Sequence, residues 1–233
     1  MNAQADLILH SLQEVAAERA RRQADPGLAA RVREVKHYQH QRFQRTYADL
    51  LASARYARSA QFFLDDLYGP EDFTQRDEQF ARVVPGLVRM FPRELVGTVT
   101  ALGELHALSE QFDTAMGAVI DSAALGDAEY AAAWRTVGRP ADRERQIALM
   151  LAVGSALDRY TRNPLLRTSL RIMRGPAAAA GLGALQGFLE RGFDTFREMR
   201  GASEFLDTVA ARERELAARL FSGGTAVPPS NRV

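Results

Sequence analysis

Apolar positions recur every three to four residues along almost the whole chain, and no stretch alternates apolar and polar residues long enough to predict a strand. Leu7, Ile8, Leu12, Val15 and Ala16 mark one face of a first helix that runs to about Ala24. Asp25-Pro26 then reads as an N-cap followed by proline in the first turn of a second helix. The pattern extends that second helix over residues 27–68, about 60 Å at ~1.5 Å per residue, with Ser53-Ala54 or Phe62-Phe63 as places where it can break. Gly69-Pro70 ends it.

Thr74 followed by Asp77 and Glu78 places negative charge at the start of a third helix, which Pro85-Gly86 is expected to kink or divide. Pro92 restarts the chain into residues 93–112, and shorter helices follow over 114–125 and 128–137, with Gly126 and Gly138 as stops. Further helices are predicted over 141–160, over 165–174 between Asn163-Pro164 and Gly175-Pro176, over 177–199, and over Ser203–Phe221. The expected fold is all-α: a single bundle-like assembly of about 8–10 helices with one long N-terminal helix. It occupies residues 1–222, and the polar segment 223–233 is a disordered tail. Phe62, Phe63, Leu67, Phe80, Leu102, Leu105, Trp134, Leu151 and Phe188 are the expected core.

Composition narrows the function without naming it. The 233 residues include 30 Lys+Arg, 29 Asp+Glu and no cysteine, for a net charge of +1. Thiol catalysis, disulfides and thiolate metal sites are excluded. The charge balance argues against nucleic acid as a partner, leaving only a local basic patch to consider. The first residues carry polar and acidic groups before any apolar run, and no apolar stretch reaches the ~20 residues of a membrane helix. A cytoplasmic protein without a membrane partner is expected. Every basic residue except Lys36 is arginine.

Four places could carry chemistry. Asp65, Asp66, Glu71, Asp72, Asp77 and Glu78 stand close enough to hold a hard cation through oxygen, though not at the alternate spacing of a calcium loop; helix capping and a solvated turn are the expected explanation. Glu34 and His37 form an E-x-x-H without the second copy that a di-iron bundle needs, so a solvated face is expected. His106 continues the stripe Leu95, Val99, Leu102, with Glu110 one turn on to hold its ring, which predicts a mostly buried, hydrogen-bonded histidine. Residues 135–174 carry nine arginines against Asp142, Glu144 and Asp158; Arg167, Arg171 and Arg174 share one helix face that could bind an anion or pair with the acids of 65–78. The glycine-rich stretch 177–187 predicts a close helix crossing or the floor of a pocket. No phosphate loop or nucleophile elbow occurs.

The segments FFLDDLYGPEDF, RDEQFARVVP, LHALSEQFD and MRGPAAAAGLGALQGFLERGF resemble a family of uncharacterised bacterial all-helical proteins, over roughly residues 47–221. The resemblance implies a helical fold and brings no activity with it. Residues 102–113 are also similar to the stretch around the haem-ligating histidine of globins, which implies a haem or small-ligand sensor with His106 as axial ligand. The expectation is therefore a helical binding or interaction protein, with self-association through an apolar helix face. Its alternatives are a ligand site at His106, Glu110 and Leu102, an anion or nucleic-acid site at Arg167, Arg171 and Arg174, and a metal-dependent enzyme on the acidic segment.

Overall fold

The structure is a computed structural model that describes residues 3–67, 73–121 and 125–226. Among these residues the chain is predominantly helical and forms no strand. The order is α1 (Ala3–Ala24), α2 (Pro26–Thr46), α3 (Ala48–Ala52), α4 (Ala57–Phe62), a π-helical turn (Phe63–Leu67), α5 (Thr74–Met90), α6 (Arg93–Val119), α7 (Asp127–Val137), α8 (Pro140–Thr161), α9 (Pro164–Ala179), α10 (Gly183–Glu198) and α11 (Ser203–Phe221). Asp25 caps α2 as its sequence predicts, accepting from the Leu28 amide at 2.9 Å ahead of Pro26.

The single long helix over 27–68 does not form. α2 stops at Tyr47, and Ser53 takes an extended backbone (ψ 127°) with its hydroxyl oxygen accepting from the Arg55 and Tyr56 amides. These breaks turn the chain back on itself, so that Phe43, Tyr47, Tyr56, Phe62 and Phe63 enter one apolar cluster. A straight helix could not bring all five to the same place. The Gly69-Pro70 stop, the side chain of Leu67 and the acids Glu71 and Asp72 lie outside the described residues.

Other boundaries also move. α6 runs unbroken through 112–114, because Phe112, Asp113 and Thr114 are all buried and the Thr114 hydroxyl bonds back to the Glu110 carbonyl. Pro85 lies inside α5, and Pro176 inside α9, without ending either helix. The stop predicted at Gly175-Pro176 falls instead at Gly181 (φ +68°), where the Leu182 amide reaches Ala177 O (2.8 Å) and the Gly181 amide reaches Ala178 O (3.0 Å). After α11, Arg219 donates to the carbonyls of Thr225 (2.9 Å) and Ala226 (3.1 Å), and Ala226 is buried. Residues 227–233 lie outside the described residues.

α6 is the central element, lined by α1, α2 and α8. It approaches α2 at Gly117, where an added Cβ would stand 2.6 Å from Val32 Cγ2 and 3.2 Å from the Val32 nitrogen. α8 meets α11 in the same way, with Gly154 against Leu206. The close crossing expected at 177–187 is absent: nothing stands within 4 Å of a Cβ built on Gly181 or Gly183, and Gly187 meets only the Arg191 side chain. Of the expected core, Phe62, Phe63, Leu105, Trp134 and Phe188 are buried, while Phe80, Leu102 and Leu151 pack partly buried at its margins.

Candidate functional site: a polar cavity between five helices

Helical spacing carries several polar side chains to the inside of the bundle rather than to its surface. α2 contributes Lys36, Gln39 and Arg42, three residues apart; α6 contributes His106, Ser109, Glu110 and Asp113. Tyr130 and Trp134 come from α7, Arg143, Gln146, Ile147 and Met150 from α8, and Glu213 and Ala217 from α11, with Phe73 at the margin. Together they enclose a cavity of about 60 Å³.

Charge on this lining is closely matched. Lys36 Nζ stands 2.8 Å from Glu110 Oε1 and 2.9 Å from Asp113 Oδ2. Arg22 of α1 adds a second cation to Glu110 and donates to the Thr114 hydroxyl at 2.8 Å. Burial alone would lower the Lys36 pKa, but Asp113 and Glu110 outweigh it and raise the value above the ordinary lysine range. Burial would likewise raise the pKa of Glu110, and Lys36 and Arg22 outweigh it, holding the carboxyl below the usual range. Arg42 is buried and pairs through Nη1 with Glu213, which also accepts from the Tyr47 hydroxyl at 2.7 Å. The Arg143 guanidinium stands over two rings, 3.5 Å from the centroid of Phe112 and 3.7 Å from that of Trp134.

His106 is held, but by a different partner from the one its helix suggests. Its Nε2 donates to Asp77 Oδ2 at 2.8 Å, across from α5, while Glu110 is occupied by Arg22 and Lys36. The side chain of His106 is 18% exposed, so it is largely enclosed. Burial would raise the pKa of Asp77; the His106 contact and the charges of Arg76 and Arg19 overcome this and hold it at about 2. Leu102 packs against the apolar cluster beside α6 and does not line the cavity. The pair Asp77–His106 can orient an imidazole, yet Ser109 is no nucleophile in waiting. Its hydroxyl donates to the Leu105 carbonyl (2.8 Å) and accepts from Gln146 (2.9 Å). A cavity of about 60 Å³ takes a few water-sized groups and is far too small for a porphyrin.

The other sequence-derived sites lie apart from this cavity. Arg167 pairs with Asp194 (2.9 Å) and Arg174 with Glu190 (2.6 Å), both on α10, and Arg171 is exposed between them. The described acids of 65–78 supply none of these partners. Asp66 pairs with Arg191, Asp65 accepts from Gln61, and Asp77 turns inward to Arg19 and His106. Glu34 and His37 are exposed on α2. Among the described residues no group of three or more His, Asp or Glu side chains is placed to hold a metal ion.

Two of the residues singled out in the sequence as a candidate site, His106 and Glu110, line the cavity, and Trp134, expected in the core, lines it too. One signal was available: the only lysine and the only tryptophan of the chain, Lys36 and Trp134, both line the cavity. Among the described helices none is long and apolar enough to cross a membrane. A family model described as a domain of unknown function (DUF8198) matches residues 18–227. No curated protein and no solved structure matches the chain.

Proposed function

The chain belongs to the DUF8198 family, and on that premise we propose that it is a binding protein whose cavity between α2, α6, α7, α8 and α11 holds a small polar ligand. One observation carries this reading. Arg42 Nε and Trp134 Nε1 are buried, their residues line the cavity, and neither atom has a hydrogen-bond partner among the described residues. An unmet buried donor costs about 1–3 kcal/mol, so a pair of them beside a cavity marks a place that a bound molecule would stabilise. The ion pairs around them keep the lining in one geometry, which lowers the ordering cost of binding. The engaged hydroxyl of Ser109 favours binding over acyl-transfer chemistry.

Trp134 supplies its own test, because its emission is the only tryptophan signal of the chain. Titrating the purified protein with small polar molecules, neutral and charged, is expected to give a saturable change in tryptophan emission with at least one of them. The same molecule should raise the melting temperature by mass action. If no molecule small enough for the cavity changes either signal, the cavity is a hydrated core defect and the reading fails.

A further inference from the structure

Resting on the reading of the cavity as a ligand site, we infer that its ligand is a short aliphatic carboxylate, of the size of acetate or propionate. The unmet groups decide the polarity. Both are N–H donors with no acceptor character, so the molecule that satisfies them must present acceptors. Arg42 gives Nη1 to Glu213 and so has its Nε edge left, a geometry suited to a planar carboxylate oxygen. Trp134 Nε1 supplies a second donor on the lining, and the Arg143 guanidinium stands among the same lining residues, whereas Lys36 is already matched by Glu110 and Asp113.

Volume decides the length. A cavity of about 60 Å³ admits about four to six water-sized groups at ~10–15 Å³ each. Acetate and propionate have four and five non-hydrogen atoms. The other wall decides the tail: Ile147, Met150 and Ala217 offer an apolar surface to a methyl or ethyl group. An inorganic oxyanion would leave that wall facing charge.

The test compares sodium acetate and propionate with acetamide, 1-propanol and inorganic phosphate, with ionic strength held constant by sodium chloride. Tryptophan emission, calorimetry and melting temperature are read together on the full chain. Acetate and propionate are expected to saturate, and acetamide to bind at least about tenfold more weakly, as the loss of a charged hydrogen-bond acceptor implies. Trp134→Phe keeps the ring and removes the donor; by calorimetry it should weaken acetate about tenfold. Ala217→Leu, which fills the apolar wall, should abolish propionate binding in a protein that still melts cooperatively, and keeps the test open if the Trp134 variant does not fold. Acetamide binding as tightly as acetate would overturn the acid and leave the cavity a ligand site. Phosphate binding more tightly than acetate would overturn the carboxylate. Failure of all five molecules would overturn this inference, and the broader titration above then decides whether the cavity binds anything.

Discussion

Arginine or lysine facing a carboxylate occurs both beneath α6 and along the α9–α10 surface, and the two settings give the same chemistry different consequences. Around Glu110, Arg22 and Lys36 leave the carboxylate side chain only 6% exposed, under helices pressed close enough to need Gly117. On α9 and α10, Arg167 and Asp194 are 31% and 48% exposed, and Leu165, Ile172 and Met173 face outward beside them. Ala177 is the only residue of α9 that is fully buried among those described. Water can replace any partner lost from the surface pairs. Inside, water is confined to the small cavity beside these pairs, and a missing partner leaves a charge poorly solvated. The interior pairs are therefore the ones that fix geometry at the cavity.

The widest gap between the two regions should come from deleting a carboxylate in each. Glu110→Ala leaves Lys36 with Asp113 alone and takes the carboxylate from Arg22, and is expected to cost about 3–5 kcal/mol, read as a fall in the urea midpoint. A loss below about 1 kcal/mol would show that the interior behaves as surface and would remove the contrast. The glycines offer the next largest test. Gly117→Ala places a Cβ 2.6 Å from Val32 Cγ2 and should cost about 1–3 kcal/mol through overpacking. Gly183→Ala, with nothing within 4 Å of its Cβ, should be neutral or stabilising, since alanine loses less backbone entropy. Equal losses at the two sites would refute the packing difference.

Acid should also separate them. The folded pKa of Asp77 lies at about 2, below its ordinary value of 3.8, so the unfolded chain binds its proton first as the pH falls. Its stabilisation, about 2 kcal/mol, is present above about pH 4 and is lost as the pH drops from there through about 2. Comparing the wild type with Asp77→Asn by urea unfolding, the gap in stability should be widest at pH 6 and nearly closed at pH 2. A gap that stays constant with pH would mean that Asp77 acts by packing alone.

Whatever depended on one helix could be read along the chain. The apolar stripes of α1, α8 and α11, the Asp25 cap and the burial of Phe62, Phe63 and Phe188 follow from local spacing. What failed depended on partners far away in sequence. Glu110 lies one turn from His106 and looks like its partner, yet Lys36 reaches Glu110 across 74 positions and Asp77 takes the imidazole across 29. Asp77 itself looks like a charge at a helix start, because periodicity does not show that α1 and α6 close over it. The glycines of 177–187 misled in the opposite sense. A run of small residues permits close approach without requiring it, and the turn at Gly181 used one of them for a positive φ instead.

The smallest expected effect is also the one that most directly tests screening. Asp194→Asn removes the partner of Arg167, and because exposed ion pairs contribute about 0–1 kcal/mol, the loss at low salt should fall in that range. Raising sodium chloride to 1 M shrinks the Debye length to about 3 Å and should erase the difference from wild type. The loss from Glu110→Ala should persist at the same salt, since mobile ions do not reach a pair enclosed by α1, α2 and α6. Urea unfolding of both variants at low and high salt makes the comparison. If salt erases both losses, the cations around Glu110 are hydrated, the ion network does not hold the cavity in one shape, and the preorganisation claimed for ligand binding is lost with it. If salt erases neither, the α9–α10 pairs are better shielded than their exposure indicates, and the arginines of α9 are tied to the fold rather than available to an external anion.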